Sequence, residues 1–193
     1  MSSVVISGDT SGAITVSAPL VAGTNTLTLQ AATATNAVNT LATAVASTSG
    51  TSIDFTGLPS WIKRITVMFN AVSLSGSSNP RVQIGAGSIE TTGYAGAASS
   101  IGAASVQSVA WVGGGADTYH NTGAAQALSG HMVLTNISSN IWIISGVGAV
   151  ASTQTTTYAG AKTTSGTLDR LRITTVNGTD TFDAGSVNIL YEG

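Results

Sequence analysis

The chain has 193 residues, only 7% of them charged, and its formal net charge is -2. Six Lys and Arg against eight Asp and Glu cannot form a phosphate-neutralising surface, so the composition argues against a nucleic-acid-binding protein. It also argues against a long helical bundle, whose surface needs Glu, Lys and Arg. Because 42% of the residues are hydrophobic, the chain can still bury one core. Composition alone therefore predicts a β-rich, weakly charged assembly module.

Cysteine is absent, which excludes disulfides and thiolate metal sites. Residues 1–8 lack the basic segment and the long apolar run of a signal peptide. No apolar run approaches the roughly 18 residues of a membrane span. We therefore expect a protein that is made in the cytoplasm and does not insert into a membrane.

The first thirty or so residues alternate in the manner of β-strands. Ile14 and Val16 alternate with polar residues, as do Leu27 and Leu29, and turn residues lie between the two pairs at 19–25. Period-2 alternation rich in β-branched residues predicts half-buried strands, here joined in a loose hairpin.

Residues 31–50 consist almost entirely of Ala, Thr, Ser, Asn and Val. Alanine favours a helix, but the Thr and Ser content and the missing caps oppose one. We interpret this stretch as a linker, extended or partly helical. The predicted organisation is then an N-terminal arm, residues 1–50, and a folded domain, residues 51–193.

From Thr51 onward, short apolar alternations are separated by turn residues, and Ile65, Val67 and Phe69 fall on one strand face. The predicted strands are 53–55, 61–70, 81–85, 105–112, 131–136, 141–145, 169–176, 181–183 and 185–191. The small-residue stretch 93–104 is predicted to be a loop. This spacing predicts an all-β fold, an antiparallel β-sandwich of jelly-roll type preceded by an extended N-terminal β arm.

The dipeptide Asn177-Gly178 is the strongest hairpin signal in the chain. A two-residue turn here places Ile173 opposite Phe182 on one face of the sheet. The same register places Arg172 opposite Asp183 on the other face. An apolar pair on one side and a pair of opposite charges on the other is typical of a two-faced hairpin.

The sequence carries no catalytic or metal-binding motif that we recognise. Its two histidines lack zinc-site spacing, no G-x-S-x-G elbow is present, and the glycine stretches lack phosphate-loop spacing. Asp169 and Asp183 are most simply interpreted as ion-pair partners of Arg170 and Arg172. We therefore expect a protein that is not an enzyme, with no cofactor and no metal site.

The segment around glycines 113–115 contains the best candidates for recognition. Trp111 precedes these glycines, and Asp117, Tyr119 and His120 follow them. Loops carry function disproportionately, and an exposed aromatic ring can stack on a sugar while Asp and His supply hydrogen bonds. These four side chains are the candidate contacts with a host receptor. A passive loop, or packing against an adjacent subunit, is the alternative interpretation.

Three other side chains in apolar surroundings are given structural roles. Trp61 and Trp142 lie inside apolar runs and are expected in the core. His131, next to Met132 in a predicted strand, is interpreted as a structural or surface residue.

Several segments carry a resemblance to a known family. They are residues 53–61 (IDFTGLPSW), 63–67, 83–85, 91–94 and the long ordered run 168–192. From Thr51 to the end, the sequence resembles a domain that recurs in virion proteins of tailed bacteriophages, in tail fibres and related appendages. The resemblance covers about three quarters of the chain and transfers no catalytic residue. It implies a component of the virion.

Composition and resemblance together indicate a structural virion protein, assembled in the host cytoplasm. Residues 1–50 would attach it to the particle, with other virion proteins as partners, and the remainder would project as a β-sandwich. A chain with so little charge has little colloidal protection as a monomer, which favours a homo-oligomer. The resemblance to phage fibres implies a trimer. Tail fibre, head fibre and capsid decoration protein remain alternatives, as does a module that binds a host surface glycan.

Overall fold

The computed structural model describes residues 3–7, 13–17, 39–102, 106–111, 113–118, 124, 126–151 and 153–193. The chain forms two compact units, Met1–Asn36 and Ala37–Gly193.

The first unit contains an antiparallel pair of strands. Strand β1 (Ser3–Ser7) pairs with β2 (Ala13–Ser17), with Val5 opposite Thr15. The strand predicted from Ile14 and Val16 is therefore confirmed. The predicted turn and second strand at 19–29 lie outside the described residues.

The second unit is an antiparallel β-sandwich of a nine-stranded and a five-stranded sheet, which confirms the predicted fold class. Its strands are β3 (Asn39–Leu41), β4 (Val45–Ala46), β5 (Ser52–Thr56), β6 (Arg64–Leu74), β7 (Pro80–Ala86), β8 (Ser88–Ile89), β9 (Tyr94–Gly102), β10 (Val106–Ala110), β11 (Ala116–Asp117), β12 (Leu128–Ser138), β13 (Ile141–Val150), β14 (Gln154–Thr163), β15 (Arg170–Thr175) and β16 (Phe182–Glu192). The large sheet runs β10-β9-β14-β13-β12-β6-β16-β3, with β4 also on β16. The small sheet runs β11-β7-β15-β5, with β8 on β7.

Side chains that alternate along the strands of both sheets fill the space between them. From the large sheet, Ile65, Val67 and Phe69 of β6 are buried together, as their spacing predicts. From the small sheet, Leu171 and Ile173 of β15 are fully buried. Each such side chain stabilises the fold by about 1.5–3 kcal/mol, so the two-residue period of these strands specifies the core.

The prediction of a loop at 93–104 is wrong, because Tyr94–Gly102 is strand β9. It pairs with β10 on one side and β14 on the other. The Trp111 ring lies on its inner surface at Gly96. A Cβ atom at Gly96 would lie 2.4 Å from a carbon of that ring. Close approach of an aromatic ring, rather than a loop conformation, explains the glycine.

The turn at Asn177-Gly178 exists, but the hairpin predicted there is wrong. Gly178 has a φ of 70° and its N–H donates to the carbonyl of Thr175 at 3.2 Å. The side-chain oxygen of Asn177 accepts the N–H groups of Thr179 and Asp180, which extends the turn. The connection crosses from β15 in the small sheet to β16 in the large sheet.

The predicted cross-strand pairs of that hairpin are therefore also wrong. Ile173 lies opposite Ile53 on one side and Val82 on the other, although Phe182 is buried as expected. Arg172 forms its ion pair with Asp54 at 2.6 Å. The partner of Asp183 is instead the hydroxyl of Ser73.

Part of the segment interpreted as a linker belongs to the sandwich. Strands β3 and β4 pair with β16, and the hydroxyl of Ser47 donates to the carbonyl of Ala184 at 2.8 Å. The N–H of Phe182 donates to the carbonyl of Gly50 at 2.8 Å. The second unit accordingly begins at Ala37, earlier than the boundary at residue 51 expected from the sequence.

We expect a fragment of residues 37–193 to unfold cooperatively and a fragment of residues 51–193 to be less stable. The shorter fragment loses β3, β4 and the acceptor of the Phe182 N–H. Several hydrogen bonds at about 1 kcal/mol each give a loss on the order of 3 kcal/mol. Urea unfolding at matched protein concentration measures it. Equal midpoints for the two fragments would show that residues 37–50 are a linker after all.

Candidate functional site

The outer surface of the large sheet carries a region without charged side chains, which we call the uncharged face. It comprises four outward positions on each of β9, β14, β13 and β12. Its members are Ala95, Ala97, Ser99, Ile101, Thr155, Thr157, Ala159, Ala161, Ile143, Ser145, Val147, Ala149, Ser129, His131, Val133 and Thr135. The strand register sets them in four straight cross-strand rows, one of which is His131–Val147–Thr157–Ser99.

The uncharged face is partly apolar. Its side chains are small or β-branched, and Ile101, Ile143 and Val147 are 53%, 40% and 50% exposed. The hydroxyls of Ser99 and Thr157 lie 2.8 Å apart and form a hydrogen bond with each other. Strands about 4.8 Å apart, rising about 3.3 Å per residue, give four strands a face on the order of 600 Å². Nine of the sixteen side chains are apolar, so the apolar part of the face is smaller than this.

Charged side chains lie off the uncharged face, mostly in ion pairs. The pairs are Arg64–Glu192, Arg81–Asp117, Lys162–Glu90, Arg170–Asp169 and Arg172–Asp54. Hydrogen bonds from Arg172 hold the pKa of the Asp54 carboxyl below its ordinary value. The uncharged face therefore presents neither sign of charge to an approaching surface.

Trp111, predicted as an exposed receptor contact, is instead a core residue. It is only 4% exposed, and its ring lies on the inner surface of the large sheet. A Cβ atom at Gly160 would lie 2.2 Å from the ring, as close as at Gly96. Its Nε1–H donates to the carbonyl of Asp117 at 3.1 Å. The ring fills the gap between the sheets, so the exposure that stacking on a sugar requires is not present.

Asp117, a second candidate contact, is also buried. Its carboxylate accepts two hydrogen bonds from Arg81, at 2.5 and 3.1 Å, and the two residues are 5% and 8% exposed. Burial raises the pKa of the Asp117 carboxyl, and the Arg81 guanidinium opposes that rise. The Asp117 oxygens are therefore bound within the protein, and its contact with a receptor stays a prediction that this burial does not support. Tyr119 and His120 lie outside the described residues.

The remaining aromatic predictions have mixed outcomes. Trp142 is 3% exposed and is confirmed as a core residue. Trp61 is 38% exposed and packs on Tyr191 with ring centroids 5.8 Å apart, so its placement in the core is wrong. His131 is exposed on the uncharged face, as a surface histidine.

Strand β14 contributes a quarter of the uncharged face and was missed by sequence reasoning. The signal was present in residues 154–163, where Thr155, Thr157 and Ala159 point outward while Thr156 and Tyr158 point inward. Residues 155, 156 and 157 are all threonine, so inward and outward positions have the same polarity. An alternation of apolar and polar residues is therefore not visible in the sequence.

Within the described residues, no group of three or more His, Cys, Asp or Glu side chains could hold a metal ion. The same part of the chain contains no helix long and apolar enough to cross a membrane. We find no match for this chain among protein-family models, curated proteins or solved structures.

We expect Asp117→Asn to destabilise the protein by about 3–5 kcal/mol, because it leaves the Arg81 charge buried without a counter-ion. Asp54→Asn is the matched control. It removes an ion pair whose side chains are 36% and 38% exposed, and the loss should stay below about 1 kcal/mol. Chemical denaturation of both variants measures the difference. Equal losses would contradict the structural role given to the buried pair.

Proposed function

We propose that this chain is a structural subunit of a bacteriophage virion appendage and that identical copies associate through the uncharged face. The observation that supports this proposal is the absence of charge from sixteen outward positions, four on each of four neighbouring strands. Fully buried interface centres are depleted of charged residues in the same way.

A second copy of this chain is the occupant that suits the face. Two copies of a surface without charge do not repel each other, and small side chains allow close approach of two sheets. The area on the order of 600 Å² approaches the roughly 800 Å² that each partner buries in a standard interface. The trimeric state rests on the resemblance to phage fibres, which also supports the virion assignment.

Glycan binding through residues 111–120 has less support than assembly. Trp111 and Asp117 are committed to the core, at 4% and 5% exposure. The alternative of a capsid decoration protein uses the same mode of self-association, and the site of attachment distinguishes it from a fibre.

We propose that residues 1–36, which form a separate unit, supply attachment to the particle.

We expect the full chain to be a trimer, and the double variant Val147→Glu/Ala159→Glu to be monomeric. Two carboxylates in neighbouring strands of the face would be desolvated and would repel their counterparts on association. Light scattering coupled to size exclusion measures the mass against the 19.1 kDa of one chain. Ser52→Glu, at an exposed position of the small sheet, is the control and should remain trimeric. A monomeric wild-type chain, or a double variant that remains oligomeric, would contradict the proposed interface.

Deletion of residues 2–36 is expected to abolish incorporation into phage particles while the oligomer persists. The reason is that these residues form a compact unit of their own. Immunoblots of purified particles give the readout, and immunogold microscopy of the wild type locates the chain on head, collar or tail. Normal incorporation of the deleted chain would refute attachment through this unit. Absence of the wild-type chain from particles would refute the virion assignment.

A further inference from the structure

His131 is the one titratable side chain at the sixteen positions of the uncharged face. It points outward from β12 and is exposed, next to the fully buried Met132. Because β12 pairs with β13 on one side and with β6 on the other, the strand register fixes where His131 stands. Histidine is the side chain whose charge changes between about pH 5 and pH 8. The face therefore carries a charge in acid and none in mild base.

The cross-strand row that contains His131 crosses seven strands of the large sheet and is otherwise neutral. In order from β16 to β10 it consists of Asn188, Met68, His131, Val147, Thr157, Ser99 and Ser108. Two strands of the row lie on one side of β12 and four on the other, so His131 stands inside this surface rather than at its rim. The row supplies no carboxylate that could compensate an imidazolium.

The strands packed against β12 place no charge near His131. Strand β13 contains no charged residue, and β6 contains one, Arg64. Arg64 lies opposite Thr135, four residues along β12, and pairs with Glu192 at 3.5 Å. Four residues span about 13 Å of strand, more than the Debye length of about 8 Å at physiological salt. This ion pair therefore has little influence on the charge of the imidazole.

One further titratable group approaches His131 from beneath the sheet. The phenol of Tyr158 on β14 donates to the backbone carbonyl of His131 at 3.0 Å. Burial raises the pKa of this phenol, so it stays neutral wherever histidine titrates. The protonation state of the face is therefore that of His131 alone.

We propose that His131 makes association through the uncharged face dependent on pH, with copies assembling while it is neutral and separating when it is protonated. This inference rests on the proposed function, because the surface that covers His131 is a second copy of the chain. In the separated chain an imidazolium is hydrated. Between two neutral surfaces it would lose that water and gain no counter-charge, which is costly.

The sign of the dependence follows from linkage. Because the assembly favours the neutral imidazole, association releases protons wherever the separated chain is protonated. Histidine side chains ordinarily become charged below about pH 6.5. Association is therefore strongest above that pH and weakens as the pH falls below it. Every copy contributes its own proton, so an oligomer responds more steeply than a single site.

The test measures the mass of the full chain by light scattering coupled to size exclusion, over a dilution series. The two conditions are about pH 8 and about pH 5.5, on either side of the range in which histidine titrates. We expect the oligomer at the higher pH. At the lower pH, the protein concentration at which half of the chains are separated should rise at least roughly tenfold.

Three variants assign the response. His131→Gln is neutral under both conditions and should stay oligomeric in both, whereas His131→Lys is charged in both and should be separated in both. His120→Gln changes the other of the two histidines and should respond as the wild type does. All other titrating groups, the buried Asp117 included, are common to the wild type and His131→Gln, so the difference between these two chains isolates the imidazole. Circular dichroism reports whether each variant is folded, and if His131→Lys is not, His131→Gln decides alone.

The outcomes distinguish this inference from the proposed function. Equal association of the wild type under both conditions, or an unchanged response in His131→Gln, would overturn the role of His131 and leave self-association intact. A folded His131→Lys that stays oligomeric would show that the interface does not enclose residue 131. Loss of the response in His120→Gln would transfer it to that histidine. A wild-type chain that is monomeric at about pH 8 would overturn the proposed interface together with this inference.

Discussion

The sandwich depends on one large side chain held between its two sheets. The Trp111 ring lies against Gly96 and Gly160 on the large sheet, where Cβ atoms would come within 2.4 and 2.2 Å of it. Its indole N–H donates to the carbonyl of Asp117 in the small sheet. Because Trp111 directly follows β10 and Asp117 ends β11, this contact joins the edge strands of both sheets. The ring and the two glycines require each other, since protein interiors are close-packed.

A buried network of polar side chains lies next to Trp111 and fixes the glycine-rich segment 113–115. Arg81 pairs with Asp117, and the side-chain amide of Gln83 donates to the carbonyl of Gly114 at 2.5 Å. Such a network is stable only when every member has its partner, because a lone buried charge is strongly destabilising. The glycine-rich segment is thus fixed by the small sheet and has no carboxylate oxygens left for a receptor.

The local sequence pattern predicted the positions of many strands correctly, but it did not predict which strands pair with each other. Ile65, Val67 and Phe69 alternate in the sequence and are buried together. Gly178 does adopt the left-handed conformation that its turn signal predicts. The hairpin failed because Ile173 is paired by strands of the small sheet, far away in sequence. Strand β9 was missed for a similar reason, since Gly96 is explained by the close approach of Trp111, whose position no local pattern gives.

Most charged side chains of the sandwich pair with one another, and none lies on the uncharged face. Five of the six basic side chains are held by carboxylates of the same chain, so little charge of either sign remains to steer a partner. The proposed association through Ala, Ser, Thr and Val would depend on contact area, because each of these side chains buries little surface alone. Such an interface gains strength only when whole strands align. A symmetric oligomer repeats the same interface in every subunit, so one correct alignment of the strands is used several times.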